Sequence, residues 1–96
     1  MDRENILKLL AERKLELQRQ FQVRDLALFG SYSRGENLAG SDVDILVTFD
    51  HPPEARQFFG LQIYLEDLLG KPVDLVTSSA LRKELRPFVE REALHV

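Results

Sequence analysis

The chain has 96 residues, of which 44% are apolar and 30% are charged, so we expect one small globular domain over residues 1–96. It contains no cysteine and only two histidines, which excludes a disulfide framework and a thiolate zinc site. No stretch approaches the roughly 18 apolar residues of a membrane span, and the N-terminus does not resemble a secretory signal. We therefore predict a cytoplasmic protein without membrane contact.

The net charge is −3, and the acidic excess is local. Residues 30–50 contain one basic and four acidic side chains, whereas the segments on either side are almost balanced. The overall balance argues against a protein that neutralises many phosphates, so a nucleic acid is not expected as a direct ligand. The acidic middle block is where we look for chemistry.

The first half of the chain predicts a helix, a strand, a short helix and a second strand. The first helix runs from Asp2, a plausible N-cap, to Phe21. Its apolar stripe contains Ile6, Leu10, Leu17 and Phe21, widened by Leu7, Leu9 and Leu15. A buried strand is predicted over 23–29, a short helix over 31–36, and a β-branched strand over 43–49 that ends before a Pro pair.

The second half predicts a helix of about four turns beyond the Pro pair, with Gly70 as its C-cap. A third strand follows over 73–77, and Ser78 or Ser79 should cap a helix that Pro87 breaks or restarts. The tail over 87–94 is predicted to be helical. This order, with very short strands, indicates an α/β (α+β) fold with a small sheet covered by helices. The order of the strands in the sheet is not determined by these patterns.

Asp42 and Asp44 form a candidate carboxylate pair at the start of the second strand. Side chains alternate along a strand, so both should point to the same side. At roughly 6 Å and an effective dielectric constant near 20, the two charges repel by about 3 kcal/mol. A divalent cation, Mg²⁺ or Mn²⁺, would relieve this repulsion. The alternative is a turn at Asp42 and a solvent-facing Asp44 on an edge strand.

Gly30 and Ser31 form the second candidate feature. A Gly-Ser turn between a strand and a short helix presents backbone N–H groups and a hydroxyl to an anion, as a phosphate site requires. Gly-Ser is also a common turn and N-cap pair. The combination is more specific, because ten residues separate this turn from Asp42 and Asp44. Asp74 adds a third acid within an apolar strand, where an unpaired carboxylate would be costly to bury.

At these motifs the chain resembles the minimal nucleotidyltransferases, the smallest members of the polymerase-β-type nucleotidyltransferase superfamily. Residues 28–36 (LFGSYSRGE), 41–47 (SDVDILV) and 73–76 (VDLV) are similar to the family's glycine-serine helix, metal strand and third-acid strand. The tail over 85–94 is similar to the family's ending. The resemblance covers nearly the whole chain and implies a polymerase-β-type core with a mixed sheet of three to four strands.

The resemblance also implies roles for these residues. Asp42, Asp44 and Asp74 would bind a pair of Mg²⁺ or Mn²⁺ ions, with Asp74 on the acceptor side and able to take the acceptor's proton. Gly30 and Ser31 would hold the phosphates of ATP or another NTP. Arg34 could add a charge-assisted contact to them. Its alternative is a surface ion pair with Glu36 or Asp25.

The function implied by the resemblance is Mg²⁺-dependent transfer of NMP, most simply AMP from ATP, to a hydroxyl group. Family members of this size resemble antitoxins paired with a HEPN-type ribonuclease toxin, and the implied acceptor is a tyrosine of that toxin. The alternative is a binding module that neutralises the same partner by occlusion without transfer. A third possibility, transfer to RNA or to a small molecule, is disfavoured because the chain has no basic patch and no second domain.

Overall fold

Helices and strands alternate along the chain in the computed structural model, which describes residues 1–96. A single turn of 3-10 helix over Ser78–Ala80 connects the third strand to the last helix. The elements in chain order are α1 (Arg3–Phe21), β1 (Val23–Phe29), α2 (Gly30–Arg34), β2 (Val43–Phe49), α3 (Ala55–Leu69), β3 (Val73–Thr77), α4 (Arg86–Glu92) and β4 (Leu94–His95).

The four strands form one mixed sheet in the order β3-β2-β1-β4. β1 is antiparallel to both β2 and β4, whereas β2 and β3 are parallel. This architecture confirms the predicted fold class. β2 and β3 begin at the end of the sheet where β1 stops, so residues from three strands meet at this end. We call this end of the sheet the site edge.

The hydrophobic core lies between the sheet and the two long helices. α1 packs against α3, and these helices contact β1 and β3 respectively. In β2, Val43, Ile45 and Val47 are fully buried in this core. Side chains alternate along a strand, so Asp44 points to the opposite face of the sheet. No helix has the length and apolar character needed to cross a membrane.

Local sequence signals determine most element boundaries. Asp2 caps α1, because its carboxylate accepts the N–H of Asn5 at 3.0 Å. Gly70 ends α3 in the left-handed region, with φ +67°. The first three strands begin and end at the predicted residues. These boundaries follow from short-range chemistry and need no information about the rest of the fold.

The structure corrects three local predictions and confirms a fourth in part. Leu15 is 59% exposed, so it does not extend the buried stripe of α1. Thr77 caps the turn after β3, and neither Ser78 nor Ser79 starts a longer helix. The predicted helical tail is confirmed over Arg86–Glu92, with Pro87 in its first turn. Leu94 lies in β4 and pairs with Leu28, whereas the sequence predicts a helix up to residue 94. A two-residue strand leaves no periodic pattern, so only pairing with β1 reveals it.

Candidate active site

The three predicted acids lie together at the site edge. In the register of the sheet, Asp44 is opposite Phe29 on one side and Asp74 on the other. Asp44 and Asp74 are therefore direct neighbours on adjacent parallel strands and point to the same face. Asp42 lies just before β2 and is exposed, as is Asp74, whereas Asp44 is partly buried. The sheet thus assembles carboxylates that are 30 residues apart in sequence.

The Asp44 carboxyl has a raised pKa because it is partly buried and lies beside other carboxylates. Its pKa is raised from an ordinary 3.8 to about 6, first by burial and then by the charge of Asp74, a hydrogen bond with Asp74 and the charge of Asp42. The charge of Arg34 opposes this rise. The cluster consequently binds a proton more readily than isolated carboxylates do, and a cation would relieve the same repulsion.

Gly30 brings the Gly-Ser turn into contact with this cluster. Its φ is +75°, a conformation that glycine adopts more readily than other residues. A Cβ at this position would lie 2.1 Å from Oδ2 and 2.8 Å from Cγ of Asp44. Both the backbone conformation and the space therefore require glycine, and the turn lies directly against the Asp44 carboxylate.

Ser31 lies in α2 between two buried residues and remains partly exposed. The helix is fixed by contacts on its other side. Tyr32 is 1% exposed within the core, and the Ser33 hydroxyl donates to the carbonyl of Gly30 at 3.0 Å. Arg3, at the start of α1, donates to the carbonyl of Ser33 at 2.8 Å. These contacts fix the helix that follows Gly30 without engaging the Ser31 side chain.

Arg34 is bound by two glutamates at the surface. Its Nε donates to Glu36 at 2.7 Å and its Nη1 donates to Glu92 at 2.8 Å. Hydrogen bonds to Glu92 first, and then to Glu36, raise the pKa of the guanidinium. The predicted ion pair with Glu36 is confirmed, whereas Asp25 pairs with His95 instead. Arg34 nevertheless lies close enough to Asp44 to lower its pKa, so a role toward phosphates stays a prediction.

Glu92 is a residue at this site that the sequence analysis did not identify. It lies in the last turn of α4, and its Oε1 accepts the backbone N–H of Gly30 at 3.0 Å. The available signal was its position in the tail segment over 85–94, which resembles the family's ending. That resemblance assigned no role to the side chain, because 62 residues separate it from Gly30.

Comparison with known proteins agrees with this geometry. The nucleotidyltransferase domain family matches residues 10–95, which include the Gly-Ser turn and all three acids. The chain belongs to the nucleotidyltransferase family. This nucleotidyltransferase is 46% identical to the protein adenylyltransferase MntA of Thermococcus cleftensis over 93 residues, with 97% of this chain and 94% of the relative covered. It is thus an enzyme of the adenylyltransferase type.

Solved structures share the fold of this nucleotidyltransferase. A structure described as a minimal nucleotidyltransferase is 37% identical, with a TM-score of 0.82 and coverage of 98% of this chain and 95% of that chain. A crystal structure of a toxin-antitoxin with AMP-PNP is 27% identical, with a TM-score of 0.72 and coverage of 88% and 69%. The predicted membership among minimal nucleotidyltransferases is confirmed.

The donor chemistry of this nucleotidyltransferase fits a hard divalent cation. No group of three or more acidic, histidine or cysteine side chains is arranged to hold a metal ion by itself. Mg²⁺ is usually bound through one or two carboxylates, with waters and substrate phosphates completing its coordination. The pairing of Asp44 with Asp74 across adjacent strands favours a cation at this position, because the pKa of Asp44 is raised by burial and then by repulsion from Asp74 and Asp42.

Proposed function

We propose that this nucleotidyltransferase uses Mg²⁺ or Mn²⁺ to transfer AMP from ATP to a tyrosine hydroxyl of a HEPN-type ribonuclease toxin, and thereby acts as its antitoxin. One observation carries the proposal: the Gly30-Ser31 turn lies directly against the Asp44 carboxylate, beside Asp74. A phosphate-binding turn and a carboxylate cluster in contact are what nucleotidyl transfer requires. Nucleotide binding alone would not need the third acid.

In the proposed reaction, the acceptor oxygen forms a bond to the α-phosphorus of ATP, and the bond to pyrophosphate breaks. Asp74 is exposed and takes the proton that the acceptor hydroxyl loses. Ser31 and the backbone after Gly30 bind the β- and γ-phosphates, and Arg34 adds positive charge near them. These groups partly neutralise the negative charge of the pyrophosphate as it leaves.

Asp42, Asp44 and Asp74 are the residues that would hold the divalent cation. When bound, the cation supplies charge neutralisation at the transferring phosphate and lowers the pKa of a coordinated hydroxyl. The remaining catalytic contribution of the chain is positional, since Gly30, Asp44 and Asp74 come from three neighbouring strand ends that the sheet holds in register.

A protein acceptor is consistent with the exposure of the site. Asp42 and Asp74 are both exposed, so a hydroxyl on another protein can approach them directly. The name of the MntA relative and the toxin-antitoxin complex with AMP-PNP support a protein acceptor and an ATP-like donor. The HEPN class and the tyrosine follow from the resemblance to minimal nucleotidyltransferases and are the parts that an experiment must establish.

The test is covalent labelling. The chain is incubated with Mg²⁺, α-labelled ATP and a purified HEPN-type protein as the candidate partner, and the partner is examined by gel and mass spectrometry. We expect label and mass on the partner in AMP units, and none with γ-labelled ATP. Asp44→Asn should abolish labelling. Asp50→Asn is the matched control, because Asp50 follows the far end of the same strand and pairs with Arg24 at the surface.

Two outcomes would contradict the proposal. If the partner is inhibited equally well by the Asp44→Asn variant and never gains mass, the chain is an occluding binder. If a nucleotide is added to RNA in preference to the protein partner, the acceptor class is wrong. Peptide mapping that places the AMP on a residue other than tyrosine would correct the acceptor only.

A further inference from the structure

One carboxylate connects both ends of the short helix α2. Glu92 accepts the N–H of Gly30, the first residue of the helix, at 3.0 Å. Its second oxygen accepts from Nη1 of Arg34, the last residue of the helix, at 2.8 Å. The Glu92 side chain is 24% exposed, while that of Arg34 is 47% exposed. Hydrogen bonds thereby connect α4 to the candidate phosphate site.

We propose that Glu92 is a positioning residue for ATP: it fixes the Gly30-Ser31 turn and holds Arg34 toward the phosphates. This role rests on the proposed transfer of AMP from ATP. Glu92 would act through its contacts with Gly30 and Arg34. Glu92 itself need not touch the substrate, so we distinguish it from the catalytic acids.

Gly30 lies between the carboxylates of Asp44 and Glu92. Its Cα lies against the Asp44 carboxylate, and its N–H is bound by Glu92, so the residue is confined from two sides. A glycine is otherwise the residue with the most backbone freedom. Without the Glu92 acceptor, the turn could rotate about Gly30 and carry Ser31 away from the carboxylates. The hydrogen bond from Gly30 to Glu92 therefore restricts the backbone that positions Ser31.

Arg34 is held by two carboxylates. Glu36 and Glu92 bind different nitrogens of its guanidinium, which fixes the orientation of the planar group. Arg34 also attracts Asp44. If Glu92 were removed, the released nitrogen would be free to turn toward Asp44 and compete with a cation there. Glu92 therefore keeps the positive charge near the site but away from the metal-binding carboxylates.

The experiment compares Glu92→Gln and Glu92→Ala with wild type in the labelling reaction with Mg²⁺ and ATP. Gln retains a carbonyl oxygen for the Gly30 N–H but loses the charge that holds Arg34, whereas Ala loses both contacts. Glu90→Gln is the matched control, because Glu90 lies on the same helix, is more exposed and pairs only with Arg86. The melting temperature of each variant is measured to establish that it folds.

We expect the KM for ATP to rise about tenfold in Glu92→Ala, in keeping with the loss of hydrogen bonds to a charged group, with a smaller change in kcat. Glu92→Gln should fall between Ala and wild type, and Glu90→Gln should match wild type. In the double variant Glu92→Gln, Arg34→Gln, the effects on KM should be less than additive, since one residue acts through the other.

A second readout does not depend on activity. In nitrogen-resolved NMR spectra of the ATP-free protein, the Gly30 amide should exchange with solvent faster in Glu92→Ala than in wild type, with protection largely kept in Glu92→Gln. A Gly30 amide equally protected in all three proteins would overturn the proposal. An unchanged KM in a folded Glu92→Ala variant would do the same.

The direction of the change separates this proposal from an inhibitory contact. If Glu92→Ala lowers the KM for ATP, the carboxylate competes with phosphate and our inference is wrong. If wild-type protein itself transfers no AMP, the proposed function fails, while the amide-exchange result still reports on the Glu92 contact alone. The two failures are therefore distinguishable.

Discussion

The Cα of Gly30 lies against the carboxylate of Asp44, so closely that a methyl group on it would lie 2.1 Å from Oδ2. The two residues are 14 positions apart: Gly30 directly follows β1, and Asp44 lies near the start of its antiparallel partner β2. The contact makes the turn that would bind phosphate and the strand that would bind metal one structural unit. A displacement of either one must displace the other.

Gly30→Ala should therefore both strain the backbone and push the Asp44 carboxylate out of position. Gly35 offers a matched control, since its φ of +73° is equally left-handed but nothing lies within 4 Å of its Cβ position. Gly35→Ala should cost about 1 kcal/mol of unfolding free energy from the backbone alone. Gly30→Ala should cost a further 1 to 3 kcal/mol, roughly, from overpacking, and abolish transfer. Urea unfolding and labelling measure both effects; equal losses in the two variants would contradict the contact.

The raised pKa of Asp44 predicts a characteristic pH dependence of stability. In metal-free protein the folded state retains a proton on Asp44 up to about pH 6, whereas the unfolded chain releases it near 3.8. The folded state binds more protons in this window, so the contribution of Asp44 to stability falls as pH rises from about 4 to 6 and is constant above. Burial is the largest cause of the raised pKa; the charges of Asp74 and Asp42 add to it, and the charge of Arg34 opposes it.

The measurement is the free energy of unfolding of wild type minus that of Asp44→Asn, from urea titrations across this pH range. Subtraction removes the contributions of other carboxylates. With Mg²⁺ and ATP the trend should reverse, because a cation binds the deprotonated form. Asp44→Asn should also lose the rise in melting temperature that Mg²⁺ and ATP produce in wild type. A flat difference between pH 4 and 6 would contradict the raised pKa, since neither burial nor the neighbouring acids would then shift the titration of Asp44.

Asp74→Asn should separate nucleotide binding from transfer. Asp74 is the more exposed partner in the Asp44–Asp74 pair and lies on the outer strand, which suits a group that receives the acceptor's proton. We expect calorimetry to show that the variant retains much of the affinity for ATP, whereas labelling of the partner is lost. Loss of ATP affinity as complete as in Asp42→Asn would assign Asp74 to the nucleotide side instead.

Two side chains of α3 hold the start of β3 and thereby support Asp74. Glu66 accepts the N–H of Val73 at 2.9 Å, and Gln62 donates to its carbonyl at 3.1 Å. Glu66→Ala should lower the free energy of unfolding by about 1 to 2 kcal/mol, because a backbone donor loses its partner. Glu66→Gln retains an acceptor oxygen and should lose less. Asp67→Ala, at the exposed neighbouring position, is the control for these urea titrations.

The sequence alone predicted the elements and the principal site residues, because these depend on short-range chemistry. The Gly-Ser turn, the two acids at the start of β2 and the third acid in β3 each have a local signal beside an apolar strand. The bounds of the first three strands and the caps at Asp2 and Gly70 follow from the same kind of signal. None of these predictions required knowledge of which strands pair.

Only the tertiary structure decided the strand order, the two-residue strand β4 and the role of the C-terminal tail. The contact between Gly30 and Asp44 depends on antiparallel pairing of β1 with β2, and the proximity of Asp44 and Asp74 depends on parallel pairing of β2 with β3. Glu92 reaches Gly30 across 62 residues of sequence. Contacts of this kind are set by how the sheet closes around its core, and a linear pattern of residue types contains no distance between separated segments.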